Sequence, residues 1–149
     1  MTALALVLGV LSSCASSDAP AAVYQPSGVE SGLERAANQV MNHIQPRSRI
    51  AIVYVTSRDR DVTEYITSEL EYIMVNDGFT LIDRSQLDQI RKEQGFQMSG
   101  EVDDATAVSI GKIIGANVII TGAVTGSGDL RRLRLRALNT QTAQVMATA

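Results

Sequence analysis

The chain has one cysteine, one histidine and no tryptophan in 149 residues. A lone cysteine, Cys14, excludes an internal disulfide and any multi-cysteine metal site. His43, the single histidine, has no second His or Cys with which to start a metal site, and no Ser-His-Asp arrangement sets it beside a nucleophile. No catalytic constellation and no cofactor motif is therefore expected. Aromatics make up only 4%, so the core must be built from Ile, Val, Leu and Ala. There is no basic surplus either: the formal net charge is -3, which opposes nucleic-acid binding. The N-terminal apolar run is shorter than the roughly 20 residues of a membrane-spanning helix. Hydrophobic residues at 45% suffice for one domain core.

That run, from Ala3 to Leu11, ends at Ser12-Ser13-Cys14. The pattern resembles a bacterial lipobox, in which the cysteine is acylated through its thiol and becomes the new N-terminus after the leader is cut away. Residues 1–13 are thus expected to be a lipoprotein signal peptide, with a palmitate-type lipid on Cys14 that anchors the chain without spanning the bilayer. The alternative is a plain signal peptide with an incidental cysteine. No Lys or Arg precedes Cys14, which leaves open a start further upstream or a trimmed leader. Ala15 and Ser16 follow the cysteine where an inner-membrane lipoprotein would carry Asp. The expected destination is the outer membrane, facing the periplasm. Residues 14–28 are rich in Ser, Ala and Pro and read as a flexible tether; 29–149 is expected to be a single domain.

Within it, Leu33, Ala36, Ala37, Val40, Met41 and Ile44 recur at helical spacing, with Pro46 as the stop. Arg49 to Val55 is a continuous β-branched strand, buried on both faces. A helix from Asp61 to Asn76 carries Val62, Tyr65, Ile66, Leu70 and Ile73 inward and closes at Gly78. Phe79 to Asp83 is a short strand, Ser85 caps a helix bearing Leu87 and Ile90, and Asp103 or Asp104 caps another bearing Ala107, Ile110 and Ile114. Gly111 leaves room for close packing. Asn117 to Val124 is a second buried strand, Gly126 to Asp129 a tight turn, and Leu130 to Leu138 an alternating strand, followed by a turn and a last strand from Gln144. The order helix, strand, helix, strand, helix, helix, strand, strand, strand predicts an α/β (α+β) fold: a mixed sheet with helices packed on it and antiparallel hairpins at its C-terminal edge.

The acidic group Glu101, Asp103 and Asp104 lacks calcium-loop spacing and reads as helix capping. Gly126 and Gly128 fall between strands, where a hairpin turn is expected in place of a phosphate cradle. Arg132, Arg134 and Arg136 alternate with Leu133, Leu135 and Ala137. Two readings stay open for this stripe: a solvated strand edge, or a docking face for an acidic partner.

One stretch goes beyond patterning. Asp83-Arg84 with Leu87, Ile90 and Glu93-Gln94, then Gln97, Ser99-Gly100, Thr106-Ala107, Ile110-Gly111-Lys112, Gly115-Ala116 and Thr121-Gly122 together resemble the CsgG-type curli-secretion lipoprotein superfamily. That superfamily includes penicillin-binding-protein activator lipoproteins of the LpoB type. The resemblance, from about Ile50 to the end, implies a fold similar to the TolB N-terminal domain. It also implies a non-catalytic binding or assembly component of an envelope machine, first of curli-type secretion or assembly. Activation of a peptidoglycan synthase, or a pore-forming secretion subunit, is the alternative. The partner implied is an envelope protein, with self-association into a homo-oligomer left open. Relatives run on past the last hairpin, so further chain after Ala149 is an expectation as well.

Overall fold

In a computed structural model, residues 28–93 and 103–149 are described. The expected lipidation position Cys14, the tether up to residue 27 and Glu101 lie outside them, while Gly28 already opens the first helix. Helices α1 (Gly28–Met41), α2 (Arg60–Asn76), α3 (Arg84–Glu93) and α4 (Asp104–Ile113) pack on one five-stranded sheet of order β2-β1-β3-β4-β5. The strands are β1 (Arg49–Thr56), β2 (Thr80–Leu81), β3 (Val118–Thr125), β4 (Arg132–Asn139) and β5 (Val145–Thr148). β1 pairs parallel with β2 and β3, while β3, β4 and β5 are antiparallel. The element order and the mixed sheet agree with the sequence reading.

The sheet is buried on both faces because β1 and β3 are apolar at successive positions. Ile50, Ile52 and Val55 join Val118, Ile120 and Leu135 against α1 and α2. Ala51, Val53 and Ile119 join Leu138 against α3 and α4. At about 25 cal/mol per Å² of apolar surface removed from water, these two layers supply the main driving force for folding.

Several local expectations are corrected. α1 ends at Met41, well before Pro46; Ile44 is still buried, because tighter turn bonds from His43 to Val40 and from Ile44 to Met41 swing it inward. On α2 the buried line is Ile66, Leu70 and Met74, with Val62 and Ile73 at its margin, whereas Tyr65 is 43% exposed. A phenol at the helix margin keeps its hydroxyl wet. The second strand shrinks to Thr80–Leu81, since it has a neighbour on one side only, although the Ile82 amide still bonds to the Ile50 carbonyl. The connection after β3 is longer than a two-residue turn: it holds a 3-10 turn, Gly128–Leu130, that leaves Leu130 82% exposed. There Gly126 takes a φ of 88°, and a Cβ would lie 2.2 Å from the Leu130 carbonyl oxygen.

The caps sort themselves by geometry. Asp83, not Ser85, opens α3: its Oδ1 accepts from the Ser85 amide at 2.7 Å. Asp103 caps α4, accepting from the Thr106 amide at 2.9 Å and the Thr106 hydroxyl at 2.8 Å. The Thr106 backbone bond, with its side-chain bond second, holds the Asp103 carboxyl below the ordinary aspartate range. A pKa lowered in the folded state adds stability that is complete above the unfolded value and is lost as pH falls through the folded one. Thermal stability should therefore fall as the pH drops below the ordinary aspartate range of about 4, with a shallower fall for Asp103→Asn, measured by circular dichroism melts in acid.

Candidate functional site

Three surface features stand near the carboxyl ends of β1 and β3. The first is the arginine stripe of β4. Arg132, Arg134 and Arg136 sit opposite Thr125, Ala123 and Thr121 of β3, on the sheet face that α4 covers lower down. The three do not form one set. Arg136 is clasped by Asp104 of α4 in a two-pronged contact, Nη1 to Oδ1 at 2.8 Å and Nη2 to Oδ2 at 2.7 Å. It therefore ties β4 to the start of α4, which sets Arg136 apart from Arg132 and Arg134. The pair is about 40% exposed on either side, so it adds no more than about 1 kcal/mol. Arg132 and Arg134 are exposed and have no ion pair among the described residues. Asp104 was a helix-cap candidate in sequence; its long-range partner had no local signal.

The second feature, which sequence reasoning missed, is a cleft of about 500 Å³ at the end of β1. The chain leaves β1 toward α2 on one sheet face and leaves β2 toward α3 on the other. Diverging crossovers open a crevice at the carboxyl ends of adjacent parallel strands. Arg58 from the β1–α2 connection, Arg60 at the start of α2, and Arg84 and Arg91 of α3 line it together with the apolar Ile52, Val55 and Leu87. A bulge disturbs the β1–β3 register between Ile52 and Tyr54, and the Val53 carbonyl accepts a hydrogen bond from Arg91 Nη2. Bulges of this kind re-aim groups beside functional sites.

The third is a broader apolar groove, about 1030 Å³, between α1, α2 and the β3–β4 end, lined by Val29, Leu33, Ala36, Val62, Tyr65 and Leu133 among others. His43 takes no part in any of these; its Nδ1–H donates to the Gln39 carbonyl at 2.9 Å at the end of α1. Among the described residues no group of His, Cys, Asp or Glu is arranged to hold a metal ion, and no helix is long and apolar enough to cross a membrane.

The sequence model of the family described as "Curli production assembly/transport component CsgG" matches residues 14–129, more than half of the chain. The protein belongs to the CsgG family. Among solved structures, this CsgG-family chain is similar to the LpoB C-terminal domain from Salmonella enterica, with 16% identity and a TM-score of 0.71 over 83% of this chain and 96% of that one. It is also similar to LpoB of Escherichia coli solved by NMR, with 14% identity and a TM-score of 0.63 over 99% and 81%. A lipoprotein of Neisseria meningitidis shares the fold more loosely, with 14% identity and a TM-score of 0.54 over 70% of this chain and 77% of that one. No curated protein matches in sequence. At such identities the likeness shows the fold, and the fold is the one the family resemblance implied.

Proposed function

We propose that this protein is a lipid-anchored activator of a peptidoglycan synthase, working by binding and not by catalysis. In this reading Cys14 carries the lipid and holds the chain at the outer membrane. Residues 14–28 are the tether, and 29–149 form the docking head in the periplasm. The observation that carries it is the fit of the head to nearly the whole LpoB C-terminal domain. It favours this reading over curli-type secretion, which the sequence resemblance put first.

Strand connections support the same choice over a pore-forming subunit. A membrane hairpin needs two strands of about 9–11 residues and a turn. Only residues 126–131 separate β3 from β4, and 140–144 separate β4 from β5. The acidic partner surface implied by Arg132 and Arg134 would act through screened charge, which governs encounter rate and orientation more than intrinsic affinity.

Purified chain added to a bifunctional peptidoglycan synthase of the same envelope should raise glycan polymerisation in a saturable way. Replacing Arg132 and Arg134 by Ser should shift half-saturation upward by about fivefold to tenfold, more at low salt than at high. The melting temperature should hold, because both side chains are exposed and truncation opens no cavity. No rate increase would end the activator reading, and reproducible conductance steps in planar bilayers would replace it with the pore. An unchanged dose response for the double variant would return Arg132 and Arg134 to a solvated edge.

A further inference from the structure

The cleft between β1 and α3 is unusual in charge for a protein of net charge -3. Its lining holds four arginines and no Asp or Glu. Glu64, Glu71 and Asp88 approach three of these guanidinium groups from outside the lining, whereas Asp59 and Asp83 accept from the backbone amides of Asp61 and Ser85. Like guanidinium charges are costly to gather, and an ordinary surface disperses them among carboxylates.

The four differ in how firmly they are held. Arg91 is the root. Its Nη1 pairs with Asp88 at 2.9 Å, its Nη2 donates to the Val53 carbonyl, and its side chain is 23% exposed. Its Nε is the one buried side-chain nitrogen or oxygen without a hydrogen-bond partner among the described residues. A buried donor left unmatched is destabilising, so such a group calls for an acceptor. Arg84 reaches Glu71 only at 3.8 Å, beyond hydrogen-bond distance. Arg58 is exposed and has no ion pair or hydrogen bond among the described residues. Arg60 is engaged by Glu64 at 3.0 Å. Two loosely held forks, Arg58 and Arg84, thus stand over one fixed fork, Arg91.

We propose that this cleft binds a phosphate group, with Arg91 as its fixed base and Arg58 and Arg84 closing on the oxygens. A phosphate offers several acceptor oxygens and close to two negative charges, so it can satisfy more than one planar guanidinium fork at once; a carboxylate matches one. The cleft volume lies within the range of small-molecule sites, and the apolar floor accepts an organic body attached to the phosphate. The phosphate can come from a soluble ester or pyrophosphate, or from the headgroup of an anionic phospholipid. The proposal is independent of the synthase reading and uses neither Arg132 nor Arg134.

The test uses the full chain carrying Cys14→Ala, so that no attached lipid confuses the vesicle arm. Inorganic pyrophosphate is titrated by calorimetry, with acetate at matched ionic strength as the competitor. Saturable binding below about 10 mM is expected, weakened at least about tenfold by Arg58→Gln with Arg84→Gln and not displaced by acetate. Arg91→Gln should abolish it; since that variant also gives up the Val53 contact, the exposed Arg58/Arg84 pair carries the test if it fails to fold. Flotation with phosphatidylglycerol vesicles, competed by pyrophosphate and lost in the Arg58/Arg84 variant, would identify the lipid headgroup as the source. Pyrophosphate binding without flotation would identify a soluble phosphate. Absence of saturable binding, displacement by acetate, or an equal loss on changing Arg132 and Arg134 would overturn the proposal.

Discussion

Gly111→Ala should be the most damaging glycine-to-alanine change on the helices of the domain. A Cβ at this position in α4 would lie 2.5 Å from Ile119 Cγ2 and 2.7 Å from Thr140 Cγ2. Neither neighbour can yield easily. Ile119 is fully buried in the central strand β3, and Thr140 is 2% exposed with its hydroxyl bonded to the Ala116 carbonyl at 2.7 Å. Alanine would gain up to about 1 kcal/mol in helix propensity over glycine. Overpacking a close-packed core costs about 1–3 kcal/mol, and two contacts this short place the cost at the upper end. The net loss should be about 2 kcal/mol, seen as a melting temperature lowered by roughly 10 °C for a domain of this size. A control, Gly32→Ala on α1, meets nothing within 4 Å and should stabilise slightly. Equal melting temperatures for Gly111→Ala and the parent would show that α4 sits further from β3 than the structure places it.

Cys14→Ala should have the largest effect in the cell and almost none on the isolated domain. Each acyl CH2 buried in a bilayer contributes about 0.8 kcal/mol, and stable anchoring takes more than one chain. Loss of the thiol removes the acylation point altogether, so the protein should move from the membrane pellet to the soluble periplasmic fraction. Labelling with a palmitate analogue should vanish with it. If the proposed function holds, synthase activation by purified Cys14→Ala should persist while activation in cells drops, because in that reading the anchor sets where the head works and docking sets what it does. Equal labelling of parent and variant would return Cys14 to an incidental cysteine.

The sequence alone determined the order of the elements, the buried strands and the family. Its core runs are continuous and largely β-branched: Ile50 to Val53 and Val118 to Ile120 read as interior strands, and Ala107, Ile110 and Ile114 repeat at helical spacing. Caps were legible to within two residues, because a cap is a contact between residues two or three apart. The close approach at Gly111 was legible too, although not the identity of Ile119 and Thr140 as the groups that enforce it. Tyr65 and Met74 were not sorted correctly: Tyr65 is 43% exposed and Met74 fully buried, and only the packing of α2 in the fold decides which side of the helix is covered.

Tertiary structure decided everything that depends on residues far apart in the chain. Arg136 is 32 residues from Asp104, and only the antiparallel register of β4 on β3 brings it to the start of α4. Arg91 is 38 residues from the Val53 carbonyl it holds, and that carbonyl lies at a bulge that no local pattern announces. The cleft itself arises because β1 and β2 send their chains to opposite faces of the sheet. Periodicity reports how a segment meets its own core. It carries no information on which two segments will diverge, and so the stripe of arginines that alternation made visible lies on β4, while the cluster that topology assembles lies between β1 and α3.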